Sequence, residues 1–214
     1  NGLGIILWNA DSVAIAPCQV ILRTGVTPFC RIREISRPAV LKLLDVGAQG
    51  LIVPNVNSLE DVKQLVSFCK YKPIGNRGFC PSRKDGWGFD LNMSVAETMA
   101  YFNNEVLLVP QCETVGALEN IEEIAATEGV DGIFVGPFDL SISMGMPGDF
   151  KNPVFLAALE RVQKACRDAG KFCILFTGTA DPSFVVEAEN IFQRPLLAPE
   201  SHLVSGGGVD IQHH

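Results

Sequence analysis

The sequence is poor in histidine and contains no closely spaced pair of cysteines. Its three histidines all lie near the C-terminus, at His202, His213 and His214. Its seven cysteines include no C-x-x-C pair, and several stand inside apolar runs, where cysteine behaves as a small hydrophobic residue. An odd, scattered set of this kind is typical of a reducing compartment, in which disulfides do not persist. We therefore expect a cytoplasmic protein.

Positive charge and long apolar runs are also scarce. The 214 residues carry 17 Lys and Arg against 24 Asp and Glu, which gives a formal net charge of -7. This charge repels nucleic acid and anionic membranes, so neither is expected as a partner, although local amides or a metal can still attract a small anion. No apolar run approaches the roughly 20 residues that cross a bilayer, and the N-terminus lacks the basic start of a signal peptide.

Glycine-rich phosphate loops are absent as well, because neither G-x-G-x-x-G nor G-x-x-x-x-G-K-[ST] occurs. An open doubly wound sheet that binds nucleotides needs such a loop after its first strand. With 47% hydrophobic and 19% charged residues, the chain otherwise has the composition of an ordinary globular protein with one large core. One domain is therefore the expected count.

Apolar strand-like runs alternate with helical patterns along most of the sequence. This alternation predicts an α/β fold with a parallel sheet, and the nearly continuous apolar strands predict that both faces of the sheet are covered. The predicted strands are 4–8, 28–32, 50–56, 106–112, 132–135 and 172–176. The predicted helices are 14–23, 38–46, 58–70, 91–103, 115–127, 153–169 and 181–189.

Polar residues follow successive predicted strands. A ring of functional groups at the carboxyl ends of parallel strands is how (β/α)8 barrels build an active site. The pattern therefore favours a closed TIM barrel over an open sheet. The residues in question are Arg31 and Arg33, Asn55 and Asn57, Gln111 and Glu113, Asp139, and Thr177 with Thr179.

Two carboxylates, Glu113 and Asp139, stand just after two predicted strands that are joined by one predicted helix. The helix returns the chain before the second strand begins, so the strands are parallel and both carboxylates emerge at the same end of the sheet. Neighbouring strands lie about 4.8 Å apart, which lets oxygens from two strands bind one hard divalent cation. The spacing therefore predicts a metal site. Acidic residues also cap helices, and spacing alone leaves that alternative open.

The neighbours of the two carboxylates favour the metal site over helix caps. Gln111 alternates with Glu113 on the same face of its strand. The Gly136-Pro137 pair brings bare backbone close to Asp139, which suits an anionic ligand.

A long basic stretch at 74–90 contains Arg77, Arg83, Lys84 and Trp87. One interpretation is a loop that closes over an anionic substrate. The alternative is a plain solvated surface loop, which is what most long loops are.

Four stretches carry a family resemblance: DVGAQGLIVPNVNSLEDVKQLVSFCKYKPIGNRG, VPQCET, EGVDGIFVGPFDLSISMG and DAGK. They closely resemble the HpcH/HpaI family of class II pyruvate-dependent aldolases, which includes 4-hydroxy-2-oxoheptanedioate and 2-dehydro-3-deoxyglucarate aldolases. The resemblance covers roughly residues 27 to 189. It implies a (β/α)8 barrel enzyme that cleaves 4-hydroxy-2-oxo acids to pyruvate and an aldehyde, with Mg, Mn or Co as cofactor.

The resemblance also implies roles for particular residues. Glu113 and Asp139 match the ligands of the divalent metal, and Arg31 matches the arginine that contacts the keto oxygen and steadies the enolate. A metal and a guanidinium can stabilise that negative oxygen together, and arginine suits the task because its charge is fixed and its fork is planar. An ion pair with Glu34 is the alternative role for Arg31. The residues that match the pyruvate pocket are Gln111, Gly136, Pro137 and Phe138.

The sequence departs from the family in one catalytic motif. Family members carry Asp-x-Glu-His after the second strand, and its histidine takes part in proton transfer. The equivalent region here, 7–13, reads LWNADSV and has no histidine. Three functions therefore stay open: an aldolase that uses another base, a catalytically silent 2-oxo acid binding homologue, and a coenzyme A ester lyase of the citrate lyase β type.

The two ends also depart from the family pattern. A complete barrel of this type takes about 250 residues, and the sequence matches it from the second strand onward. We expect a barrel domain over 1–189 that is incomplete at its N-terminus, followed by an irregular tail over 190–214 with Pro and Gly. Exposed strand edges are usually covered by a partner. The expected partner is a second copy of the chain, in a homo-oligomer that is commonly a hexamer in this family.

Overall fold

Parallel strands alternate with helices in the structure, a computed structural model that describes residues 5–9, 27–81 and 93–176, the first range by its backbone alone. The predicted parallel α/β arrangement is therefore confirmed. In chain order the elements are β1 (Ile5–Asn9), β2 (Phe29–Arg31), α1 (Arg37–Asp45), β3 (Gly50–Val53), α2 (Leu59–Cys69), α3 (Val95–Glu105), β4 (Leu107–Cys112), α4 (Val115–Glu119), α5 (Ile121–Ala126), β5 (Gly132–Val135), α6 (Pro137–Ser143), α7 (Pro153–Asp168) and β6 (Phe172–Leu175).

The chain divides into two compact units. One takes its residues from Asn1–Pro54 and Glu60–Val109, and the other from Asn55–Leu59 and Pro110–His214. The single domain over 1–189 stays a prediction, and the tail at 190–214 lies outside the described residues. Among the helices in the described ranges, none has the length and apolar character needed to cross a membrane.

In the first unit, β2 pairs in parallel with β1 and with β3. Glycine is required opposite Phe29, because a Cβ on its register partner Gly50 would lie 2.4 Å from the phenylalanine ring. Strand β3 is buried along its whole length, as expected for a parallel strand covered on both faces. Helices α1 and α2 contribute an apolar face to the core, with Val40, Leu43, Leu44, Val62, Leu65 and Val66 buried.

A buried lysine joins two helices of the first unit. Lys70 is 1% exposed, and its Nζ donates hydrogen bonds to the carbonyls of Asn103 and Val106. The Asn103 side chain accepts from the Tyr71 amide at 2.7 Å and donates to the Tyr71 carbonyl at 3.1 Å. These bonds satisfy carbonyl groups at the C-terminal end of α3, which the helix itself leaves unpaired.

The position of Arg77 matches neither interpretation of the basic stretch at 74–90, a loop over a substrate or a solvated surface loop. It is 4% exposed, and its Nη2 lies 2.8 Å from Oδ1 of Asp45. Its guanidinium carbon lies 4.8 Å from the centre of the Tyr71 ring, which is cation–π geometry. Arg77 is thus part of the packed first unit, while positions 82–92 lie outside the described residues.

In the second unit, β5 pairs in parallel with β4 and with β6. The Phe172 ring covers Gly132, where a Cβ would come within 2.2 Å of it. This repeats the arrangement of Phe29 over Gly50 in the first unit. Helix α7 packs against α5 and β6 and buries Phe155, Leu159 and Val162.

The clearest differences between the predicted elements and the structure are four. Strand β3 ends at Val53, whereas the predicted strand continues to 56. The helix predicted at 115–127 is two helices, broken at Asn120, whose side chain donates to the Gly116 carbonyl at 2.8 Å. Helix α3 begins later than predicted, because Ser94 and Glu97 form a capping box. Helix α6 was not predicted at all, since its seven residues are too few for a helical period to stand out. The predicted helices 14–23 and 181–189 lie outside the described residues.

Candidate active site

Glu113 is a charged residue directly after the carboxyl end of β4. Its side chain is buried, with the residue 4% exposed. Oε1 accepts a hydrogen bond from the Asn55 backbone amide at 2.7 Å, and Oε2 accepts from Nε2 of Gln111 at 3.0 Å. A buried carboxylate requires such partners, and here they fix the direction in which its oxygens point.

Gly136 brings the end of β5 against this carboxylate. A Cβ on Gly136 would lie 3.0 Å from Oε2 and 3.1 Å from Cβ of Glu113, and 3.6 Å from Nε2 of Gln111. Its amide donates to the Cys112 carbonyl at 3.3 Å, which continues the pairing of β4 with β5. Three of the predicted site residues, Gln111, Glu113 and Gly136, therefore lie together at the carboxyl ends of β4 and β5.

Asp139 lies in the first turn of α6 and is exposed. Pro137 begins this helix and is buried, whereas Phe138 is 46% exposed. Ser141 holds the turn: its hydroxyl donates to the Phe138 carbonyl at 2.7 Å and accepts from the Gly148 amide at 3.0 Å. Asp139 thus stands one turn beyond Gly136, at the carboxyl end of the strand that neighbours β4.

The helix-cap alternative fails for Glu113, whereas Asp139 lies in the first turn of α6, where the helix dipole favours an acidic residue. Helix α4 is capped by Thr114, whose hydroxyl accepts from the Ala117 amide at 3.0 Å. Helix α6 has Gly136 at its N-cap and no side-chain capping bond. Neither carboxylate occupies the N-cap position of the helix that follows it.

Two contacts that sequence patterns did not reveal involve the segment that carries Glu113. Ser143, one turn after Asp139, accepts a hydrogen bond from the amide of Val115 at 2.9 Å, two residues after Glu113. The amide of Asn55, which is 58 residues from Glu113 along the chain, supplies the second contact. Asn55 is one of the polar residues that follow a predicted strand, but its backbone amide, not its side chain, donates to Glu113. A pattern of side chains in the sequence does not indicate such a backbone contact.

Arg31 ends β2 in the first unit and is half-buried. Its register partner in β3 is Ile52. Glu34, its alternative partner, accepts a hydrogen bond from the Ser36 hydroxyl at 2.8 Å. The assignment of Arg31 to the keto oxygen of a substrate stays a prediction.

Three buried thiols lie near one another beside Glu113: Cys112 at the end of β4, Cys166 in α7 and Cys173 in β6. Burial raises the pKa of Cys112 to about 12, and the Cys166 thiol and the Glu113 carboxylate add to the shift. The pKa of Cys173 is also raised, first by its hydrogen bond with Cys166 and then by burial. With their raised pKa values, the Cys112 and Cys173 thiols stay protonated near pH 7, so neither is a nucleophile for the site.

The residues present fit a divalent cation held by few protein ligands. Among the described residues, no group of three or more His, Cys, Asp or Glu side chains could hold a metal ion. Mg²⁺ and similar ions are often bound by one or two carboxylates, with water and substrate in the other positions. Glu113, oriented and buried, and Asp139, exposed, supply two hard carboxylate groups of the kind such an ion prefers.

The chain matches known proteins over most of its length. The profile described as HpcH/HpaI aldolase/citrate lyase matches residues 12–194. The chain is 38% identical over 155 residues to proteins named 2-keto-3-deoxy-L-rhamnonate aldolase from Escherichia coli strain K12 and from Escherichia coli O157:H7. Each match covers 72% of this chain and 56% of the relative. The chain therefore spans little more than half the length of these curated relatives.

Solved structures agree with the predicted fold class. The chain is similar to an HpcH/HpaI aldolase from Desulfitobacterium hafniense DCB-2, with TM-score 0.78, 29% identity and coverage of 89% of this chain and 74% of that one. It is also similar to an HpcH/HpaI aldolase/citrate lyase family protein from Burkholderia cenocepacia J2315. That match has a TM-score of 0.75 and 26% identity, and it covers 87% of this chain and 74% of the other. The fold of these proteins is TIM-barrel-like, as the sequence predicted.

Proposed function

Since the chain belongs to the HpcH/HpaI aldolase/citrate lyase family, we propose that it is a metal-dependent class II aldolase. The proposed reaction cleaves a 4-hydroxy-2-oxo acid to pyruvate and an aldehyde. The relatives from Escherichia coli, named for 2-keto-3-deoxy-L-rhamnonate, support a sugar-derived 2-oxo acid as the substrate class. The observation that carries the proposal is Glu113, a buried carboxylate held by two donors at the carboxyl end of a parallel strand.

Glu113 and Asp139 would hold the divalent cation, which is Mg, Mn or Co. When bound, this cation supplies a Lewis acid for the negative charge that develops on the keto oxygen. Gln111 and the Asn55 amide keep the Glu113 carboxylate pointed in one direction. Because the carboxylate is already oriented before substrate binds, little reorganisation accompanies the reaction.

The remaining proposed residues bind the 2-oxo acid itself. Arg31 would donate to the keto oxygen, where its fixed positive charge stabilises the developing oxyanion. The turn of Gly136, Pro137 and Phe138 would bind the carboxylate of the pyruvate unit. At the start of α6 the Phe138 amide has no carbonyl one turn earlier to bond within the helix, which suits an anionic ligand.

A steady-state assay tests the proposal. Purified protein with Mn²⁺ and 2-keto-3-deoxy-L-rhamnonate should release pyruvate, which is measured with lactate dehydrogenase as the loss of NADH absorbance. EDTA should stop the release, and Mg²⁺ or Mn²⁺ in excess should restore it. Release that continues unchanged in EDTA would show that the reaction needs no metal and would overturn the proposal.

A second candidate function is a silent binding protein for 2-oxo acids. Its support is the missing histidine at 7–13, a region that lies outside the described residues beyond Asn9. Calorimetry that shows Mn²⁺-dependent binding of oxalate, combined with no pyruvate release from several 4-hydroxy-2-oxo acids, would favour this function over the aldolase.

We propose further that the protein acts in the cytoplasm as a homo-oligomer, with a hexamer as the expected state. Free cysteines at Cys30, Cys69, Cys80, Cys112, Cys166 and Cys173 support a reducing compartment. Light scattering coupled to gel filtration measures the oligomeric state, and a mass near the 23.1 kDa of one chain would contradict the oligomer.

A further inference from the structure

Asn55 has an unusual backbone conformation beside Glu113. Its φ is 56°, and in the described part of the chain it is the one residue other than glycine with a positive φ. Asparagine tolerates this left-handed region better than most residues, whereas β-branched residues do not. The amide of this residue is the group that donates to Oε1 of Glu113 at 2.7 Å.

The left-handed turn is fixed by contacts on both sides of Asn55. The Asn57 side chain donates to the Asn55 carbonyl at 2.9 Å, and the Thr114 hydroxyl donates to the Val56 carbonyl at 2.7 Å. Val56 is fully buried. A Cβ on Gly116 would lie 2.4 Å from the Asn57 carbonyl oxygen, so α4 begins tightly against this turn. The turn therefore has little freedom to move relative to Glu113.

Charge-assisted hydrogen bonds of this length are among the stronger ones in proteins, and they set the orientation of the acceptor. The Asn55 side chain is exposed, so the contact with Glu113 depends on the backbone conformation and not on the amide of the side chain. A residue that cannot hold a positive φ would turn the N–H away from Oε1.

We propose that Asn55 is a positioning residue, whose left-handed conformation aims its backbone amide at Glu113 and thereby orients that carboxylate for the divalent cation. The inference rests on the proposed function, because it assigns a role to a neighbour of the proposed metal ligand. Groups that orient metal ligands typically change metal affinity by about 10–100-fold when they are lost.

Two substitutions at the same position test the proposal. Asn55→Val places a β-branched residue at a positive φ, and Asn55→Gly keeps the N–H and allows the conformation freely. Titration of the metal-free protein with Mn²⁺, followed by electron paramagnetic resonance of the free ion, measures affinity without any need for turnover. We expect about a tenfold or greater loss of affinity in Asn55→Val and recovery in Asn55→Gly.

General destabilisation needs its own control. Ser94→Ala removes the capping box of α3 in the other unit, which should lower stability while both hydrogen bonds to Glu113 described above are kept. We expect Ser94→Ala to shift the thermal midpoint and to bind Mn²⁺ with wild-type affinity. A loss of affinity in Ser94→Ala equal to that in Asn55→Val would overturn the positioning role.

A measurement on the metal-free protein separates this inference from the proposed function. In ¹⁵N-labelled wild type the Asn55 amide proton should be shifted downfield and protected from exchange, and Glu113→Ala should remove both effects. An Asn55 amide that does not respond to Glu113→Ala overturns the inference.

The Mn²⁺ titration distinguishes failure of the positioning role from failure of the proposed metal site. Equal affinity in wild type and Asn55→Val overturns the positioning role and leaves the aldolase proposal intact. No binding by the wild type overturns the proposed metal site, and the positioning role with it.

Discussion

Gln111 and Glu113, two residues apart at the end of β4, are joined by a hydrogen bond of 3.0 Å from Nε2 to Oε2. Residues at this spacing on a strand point to the same face, so the strand itself brings the two side chains together. Both are buried, with 5% of Gln111 and 4% of Glu113 exposed. The Gln111 side-chain amide thus fixes Oε2 of the Glu113 carboxylate, while the Asn55 backbone amide fixes Oε1.

The first prediction concerns the charge on Glu113. Glu113→Gln keeps the size of the side chain but replaces one acceptor oxygen with an NH₂ group, which faces the donors on Gln111 or Asn55. We expect pyruvate release to fall by about a hundredfold or more, and Mn²⁺ affinity to fall with it. Glu123→Gln, at an exposed position on α5, is the matched control and should keep wild-type turnover. Unchanged turnover in Glu113→Gln would remove this residue from the site.

The second prediction concerns the close approach of Gly136. Gly136→Ala adds a Cβ that would lie 3.0 Å from Oε2 of Glu113, so the carboxylate must shift or the turn must open. We expect a loss of about 1–3 kcal/mol in unfolding free energy and weaker Mn²⁺ binding. Urea unfolding and Mn²⁺ titration measure the two effects.

Gly78→Ala is the control for the effect at Gly136. Its added Cβ would meet Nη2 of Arg37 at 3.5 Å, an ordinary contact distance. This variant should keep wild-type Mn²⁺ affinity. A Gly136→Ala protein that binds Mn²⁺ as tightly as the wild type would show that the site tolerates the displacement.

The third prediction concerns the buried amine of Lys70. Lys70→Met removes the donor to the Asn103 and Val106 carbonyls and leaves both buried groups without that bond. We expect a loss of about 3 kcal/mol in unfolding free energy, measured by urea denaturation. Lys63→Met is the control, because Lys63 is exposed and lies 3.9 Å from Glu60, a pair worth little in water. Equal stability of the two variants would contradict the structural role of Lys70.

The fourth prediction concerns alkaline pH. The pKa of the Cys112 thiol is raised from 9.0 to about 12, chiefly by burial, so the folded chain keeps a proton that the unfolded chain loses above pH 9. The stability that this difference contributes is complete below pH 9 and is lost as pH rises towards 12. The slope is about 1.4 kcal/mol per pH unit for one proton.

Cys112→Ala tests the alkaline prediction, because it lacks the thiol and keeps the other groups that titrate in this range. Unfolding free energies at several pH values between 8 and 11 should fall less steeply for Cys112→Ala than for the wild type. Alanine leaves a small cavity, so the variant is expected to be less stable at pH 8, and the comparison is between slopes. Parallel curves would contradict the raised pKa of Cys112.

Local patterns predicted the elements whose information lies in neighbouring residues. Strand β5 was predicted with its observed limits, Gly132–Val135, because an unbroken apolar run between glycines is typical of a buried parallel strand. The ends of α3 and the break at Asn120 were missed, because capping bonds shift helix limits by a few residues. The buried position of Arg77 was missed, since no local pattern reports its pairing with Asp45, 32 residues earlier.

The sequence by itself determined the parallel α/β order and set Glu113 and Asp139 after neighbouring strands, because apolar periodicity and strand–helix–strand connection are properties of short segments. Only the tertiary structure decided how Glu113 is held. The Asn55 amide reaches it across 58 residues through a left-handed turn, and Gly136 approaches it closely because it has no side chain. Such contacts depend on distances between segments far apart in the chain, which no local period encodes.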